Sequence, residues 1–196
     1  MPSSFNVDLW RSRARQRHVD RFTKKHDNHL SSILLKNDLT AIDGIKEVID
    51  WCNIKGIKVI LNAKELGGTF EQSTREMILN TRLLPQKMLH LMLHEAGHML
   101  IGDSKPNARF GRGYNAKKTS DKAKNFSHRV DVIDEELCAW AEGEKLAKKL
   151  KITLNRDEYI STRDKNVKGY LEWVVRAGKF RHLKDEDDTD TYADDT

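Results

Sequence analysis

The strongest constraint in the sequence is a helix that has to bury two histidines and a glutamate. Pro85 suits the first turn of a helix, where its missing N–H is not needed. From there Met88, Leu89, Leu91, Met92, Leu93 and Met99 carry an apolar surface to about Ile101, on nearly every side. Inside that run stands LMLHEAGHML, residues 91–100, with His94, Glu95 and His98 in the order H-E-x-x-H. Histidines four apart share one helix face, so their imidazoles can converge on one ion. Apart from the three motif residues, every residue from 91 to 101 is apolar or small. Two imidazoles and a carboxylate in such surroundings are costly to desolvate without a partner, and a Zn²⁺ ion is a suitable one. His94 and His98 are therefore the expected zinc ligands. Glu95 is the expected general base, taking a proton from a water whose pKa zinc lowers to about 7.

A catalytic zinc site needs a third protein ligand. The segment VIDEELCAWAEGEKLAKKL, 132–150, lies in a helix predicted over 130–150. At 100° per residue, Ala139, Trp140, Gly143, Leu146, Ala147 and Leu150 share one face, with Glu136 near its middle. Ala139, Gly143 and Ala147 would let this helix approach a neighbour closely. Glu136 is the expected third ligand. Glu135 lies on the flank as the alternative, and on this reading it adds little to metal binding. His90, one turn before His94, is read as a hydrogen-bonded structural residue or a neighbour of the site. Cys138 is read as packing. Tyr114 and His128 are of the types that can stabilise an oxyanion.

HEAGH followed by a helix bearing DEELCAWAEG resembles the zincin metallopeptidases of the gluzincin type. The likeness is to the ImmA/IrrE-like group and to metallopeptidases encoded by bacteriophages, and it covers roughly 58–150. It implies an α+β zincin-like core with a small mixed or antiparallel sheet and an active-site helix. It also implies an edge strand able to pair with an extended peptide. It places the ligand roles on His94, His98 and Glu136 and the base role on Glu95, in a zinc-dependent endopeptidase.

Elsewhere, Leu39, Ile42, Ile45, Val48, Ile49 and Cys52 recur at helical spacing over 38–53. Thr40 and Asp43 resemble a capping box, and Gly56 is the stop. KVILNA, 58–63, reads as a strand. Gly67 and Gly68 mark a turn. Met77, Ile78 and Leu79, within 69–81, predict a second strand at the sheet edge. Asn155, with Glu158 three residues on, caps a last helix around Tyr170–Val174. The expected organisation is a basic N-terminal extension (1–34), a catalytic domain (35–154), a C-terminal helical extension (155–184) and an acidic disordered tail (185–196).

Charge divides the chain unevenly. Of its 30 acidic residues, seven lie in the last twelve positions; the remaining 23 stand against 35 Lys and Arg, a net +12. The segment 105–129 holds eight basic residues and one acid, Asp121. It suggests a wall for an acidic protein or peptide substrate, or a contact to nucleic acid. The alternative function is thus a nucleic-acid-associated binding protein with a zincin core, or a protease acting on nucleic-acid-bound protein. Mean hydropathy is −0.70, and no stretch suits a membrane span. With two cysteines, Cys52 and Cys138, and no apolar leader, the expected setting is the cytoplasm, that of the host if the protein is phage-encoded.

Overall fold

A computed structural model describes residues 11–17, 29–64, 67–104 and 126–177. The elements are α1 (residues 11–17), α2 (His29–Ile54), β1 (Lys58–Leu61), β2 (Gly68–Glu71), β3 (Glu76–Leu79), α3 (Pro85–Asp103), α4 (Phe126–Lys149) and α5 (Arg156–Ala177). They form an α+β fold in which helices pack around a three-stranded mixed sheet of order β1-β3-β2. β1 runs parallel to β3, and β2 antiparallel to it.

The core is assembled on α3. On one side α2 contributes Ile45, Val48, Ile49 and Cys52; on the other α4 contributes Trp140, Leu146 and Ala147, and α5 adds Tyr159 and Val167. From the sheet, Met77 and Leu79 face inward at period two. Outside this core, α1 is pinned to α2 through Arg11 and Arg15, which both reach Asp43, the second at 2.6 Å.

Several local expectations hold. Pro85 opens α3. At the end of α2, Ile57 N–H donates to Cys52 and Gly56 N–H to Asn53, with Gly56 at φ 69°, a Schellman ending. The Asn155 side chain accepts from Glu158 N–H at the start of α5.

Two expectations need correction. The run containing Met77–Leu79 is the central strand, and β1 and β2 form the edges; β2 starts at Gly68, where a turn is expected. The real turn lies between β2 and β3, where Arg75 takes a left-handed φ of 51°. Its guanidinium donates to Asp103 of α3 at 2.9 Å and to the Lys55 carbonyl at 2.9 Å, tying the hairpin to the helix. The second correction concerns α2, which begins at His29, so Thr40 lies inside the helix and caps nothing. No Gly or Pro interrupts 29–43, so nothing stops the helix from extending backward.

Candidate metal centre

The site forms where α3 and α4 cross, and small residues set how closely they approach. A Cβ added to Gly97 would stand 1.9 Å from the Ala139 carbonyl oxygen. One added to Gly143 would stand 2.5 Å from the Leu93 carbonyl oxygen. Both obstacles are backbone, which cannot rotate away, so only glycine fits at either position. The stripe of Ala139, Gly143 and Ala147 does bring α4 against its neighbour, and that neighbour is the H-E-x-x-H helix.

At this crossing three of the expected residues meet. His94 Nε2 lies 3.2 Å from Glu136 Oε2, and His98 Nε2 lies 3.4 Å from Glu136 Oε1. One ligand atom from each of His94, His98 and Glu136 falls within 4.8 Å of the others, so the trio could hold a metal ion. The spacing suits that role: ligands 2.0–2.2 Å from a tetrahedral ion stand about 3.3–3.6 Å apart. Charge balance points the same way. Among the described residues, Glu95, Glu135 and Glu136 are all buried here, with the imidazoles of His94 and His98 beside them.

The surroundings orient both rings. His94 stacks on Trp140, with centroids 4.4 Å apart and planes 22° from parallel. Trp140 is braced edge-on by Tyr159, whose hydroxyl donates to the Trp140 carbonyl at 2.8 Å. His98 presents its other nitrogen, Nδ1, to Glu135 Oε1 at 3.7 Å. Burial disfavours a charged His98, but hydrogen bonds to Glu135 and Glu136 outweigh it and push the imidazole up to about 10. Burial likewise raises Glu136, but the hydrogen bonds from His94 and His98 hold its carboxyl far below the usual range.

Glu95 sits against the edge of the sheet. Asn80 N–H donates to the Gly67 carbonyl, and the register continues Thr69↔Ile78 and Glu71↔Glu76. Alternation therefore turns the N–H groups of Gly68 and Phe70 away from β3, toward the free edge. Phe70 N–H donates to the Glu95 carboxylate. A Cβ on Gly68 would come within 3.1 Å of Glu95 Oε1. Burial pushes the Glu95 carboxyl up, opposed by the charges of His94 and His98.

His90 takes no part in this cluster. Its Nδ1 lies 2.9 Å from the Thr162 hydroxyl, which donates its own proton to the Glu158 carbonyl at 2.9 Å. His90 Nδ1 is therefore the donor, and burial drives the ring down to about 4, keeping it neutral. Cys138 packs against Ile101 and Ala139. His128 lies in the first turn of α4, two turns before Glu135. Tyr114, most of the basic segment 105–129 and the acidic tail 185–196 lie outside the described residues.

Glu135 and Trp140 are the site residues that the helical projection undervalues. It treats Trp140 as core and Glu135 as flank, whereas one stacks on His94 and the other faces His98. Among the described residues no helix is long and apolar enough to cross a membrane. The chain matches no family model, no curated protein and no solved structure.

Proposed function

We propose that this chain is a zinc-dependent endopeptidase of the zincin type. The observation that carries the reading is the meeting of His94, His98 and Glu136 at 3.2 and 3.4 Å with Glu95 buried beside them. Two imidazole nitrogens and one carboxylate form a donor set used by catalytic zinc. Held there, zinc supplies a Lewis acid and a water that is nucleophilic at neutral pH.

The chain's own residues do the rest. Glu95 lies within the H-E-x-x-H turn, on the side where β2 passes. There its carboxylate can accept a proton from water and pass it to a leaving amine. Trp140 and Tyr159 keep the His94 ring from turning. An extended peptide would run along the β2 edge beside Glu95 without pairing at Phe70, whose N–H the Glu95 carboxylate already holds.

Glu95→Gln is the direct test. Gln is nearly isosteric, so zinc content and fold should persist. Turnover of a peptide selected from a library should fall by about 10²–10⁴. His94→Ala and His98→Ala should each lose zinc. Full turnover in Glu95→Gln, or wild-type protein that takes up no stoichiometric zinc, overturns the reading.

A further inference from the structure

We infer that Glu135 is a positioning residue for the metal centre: its carboxylate faces the Nδ1–H of His98, pairs with it as the ring takes up a cation, and so fixes His98 Nε2 as the ligand atom. The inference rests on the metal reading above and adds a residue that the ligand set omits.

Three observations carry it. First, the two nitrogens of His98 face two different carboxylates. Nε2 is 3.4 Å from Glu136, inside the cluster, and Nδ1 is 3.7 Å from Glu135. A ligating imidazole needs its second nitrogen protonated and held by an acceptor, and an anionic acceptor makes the ring a stronger base. Second, Glu135 is 6 % exposed, and among the described residues its Oε2 has no hydrogen-bond partner. It pairs with His98. A buried carboxylate is costly unless something positive faces it. A cation on the far side of His98 polarises the Nδ1–H toward Glu135 and supplies that compensation.

Third, the other ligand lacks such a partner. Among the described residues His94 Nδ1 is buried with no hydrogen bond, and its ring stacks on Trp140. The two histidines are thus held by unlike means, one by charge and one by stacking. Adjacent glutamates on α4 reach opposite sides of His98, Glu136 as ligand and Glu135 as support.

The experiment titrates wild type, Glu135→Gln, Glu135→Asp and Glu136→Gln with Zn²⁺ alone, using a competing chelator. Each variant is also loaded with Co²⁺, whose visible spectrum reports ligand geometry. Gln keeps an oxygen that can accept from Nδ1 but carries no charge, so Glu135→Gln should bind Zn²⁺ about 10–100-fold more weakly. Its Co²⁺ bands should shift. Glu135→Asp keeps the charge one methylene further back and should recover part of the affinity, which also serves if the Gln variant does not fold. Wild-type affinity and an unshifted Co²⁺ spectrum in Glu135→Gln overturn the inference and leave the metal reading intact. Failure of wild type to bind Zn²⁺ overturns both.

Discussion

The two sides of α3 are built on opposite plans. Toward α2 it presents Leu89 and Met92 to Ile45, Val48, Ile49 and Cys52, all of them buried and apolar. Toward α4 it presents His94, Gly97 and His98 to Glu136, Ala139 and Gly143. The first side gains stability from the volume of its side chains. The second gives that volume up, bringing backbones together so that polar groups can converge. One helix thus separates the part of the core that holds the fold from the part that holds the chemistry, and substitutions on its two sides should fail differently.

The largest effect is expected on the α4 side. Gly97→Ala drives a methyl into the Ala139 carbonyl, so the helices must separate. Overpacking of this kind costs about 3 kcal/mol or more. Zinc binding should be lost with it, because Glu136 withdraws along with α4. The contrasting change, Leu89→Ala on the α2 side, should cost about 2–5 kcal/mol through the cavity it leaves. The folded fraction should still bind zinc with unchanged stoichiometry. Denaturant unfolding and metal analysis on the same preparations check both outcomes. Loss of zinc in Leu89→Ala would show that the two sides are not separable.

A smaller effect is expected from pH. In metal-free protein His98 is raised from 6.5 to about 10. Its contribution to stability is full below pH 6.5 and is lost as pH rises through about 10. Glu136 is lowered from 4.5, so its contribution is full above pH 4.5 and is lost on acidification. The His98–Glu136 pair should therefore stabilise metal-free protein best between pH 4.5 and 6.5. Binding zinc at pH 7 should release about one proton, the one His98 otherwise holds. Calorimetric titration in two buffers of different ionisation enthalpy measures it. Release near zero would mean that His98 is already neutral.

How much of this was legible in the sequence depends on what each signal reports. The motif helix, its Pro85 start, the Asn155 cap and the small-residue stripe through Ala139 and Gly143 are written in local chemistry, and the structure repeats them. The β2–β3 turn was missed because residues 72–75, Gln-Ser-Thr-Arg, contain no Gly, Pro or Asn. A helical projection gives the direction of a Cβ but not the reach of a side chain, so it could rank Glu136 yet set Glu135 aside. The early start of α2 was hidden because Thr40 and Asp43 imitate a cap inside a helix that had already begun.

The smallest effect lies away from both sides of α3. After α4, Ile152 N–H donates to Ala147 and Lys151 N–H to Lys148, with Lys151 at a left-handed φ of 56°. This is the same ending as at Gly56, made without a glycine. Lys151→Gly should raise stability by about 0.5–1 kcal/mol, net of the greater freedom of glycine in the unfolded chain. Zinc affinity should not change. A Tm at or below that of wild type would mean that the lysine side chain contributes more than its backbone costs.

The hydrogen bond from Phe70 to Glu95 also bears on how this protein behaves in a crowd of its own copies. An unpaired strand edge is a template for other chains, and long, flat, apolar edges seed aggregation. β2 is four residues long, and its edge-facing Phe70 N–H is already engaged by a buried carboxylate. A neighbouring strand that tried to extend the sheet at Phe70 would have to break that bond and strip Glu95 of a donor in an apolar setting. The glutamate of the H-E-x-x-H turn therefore also caps the edge at Phe70, where a strand from another copy would gain less by pairing.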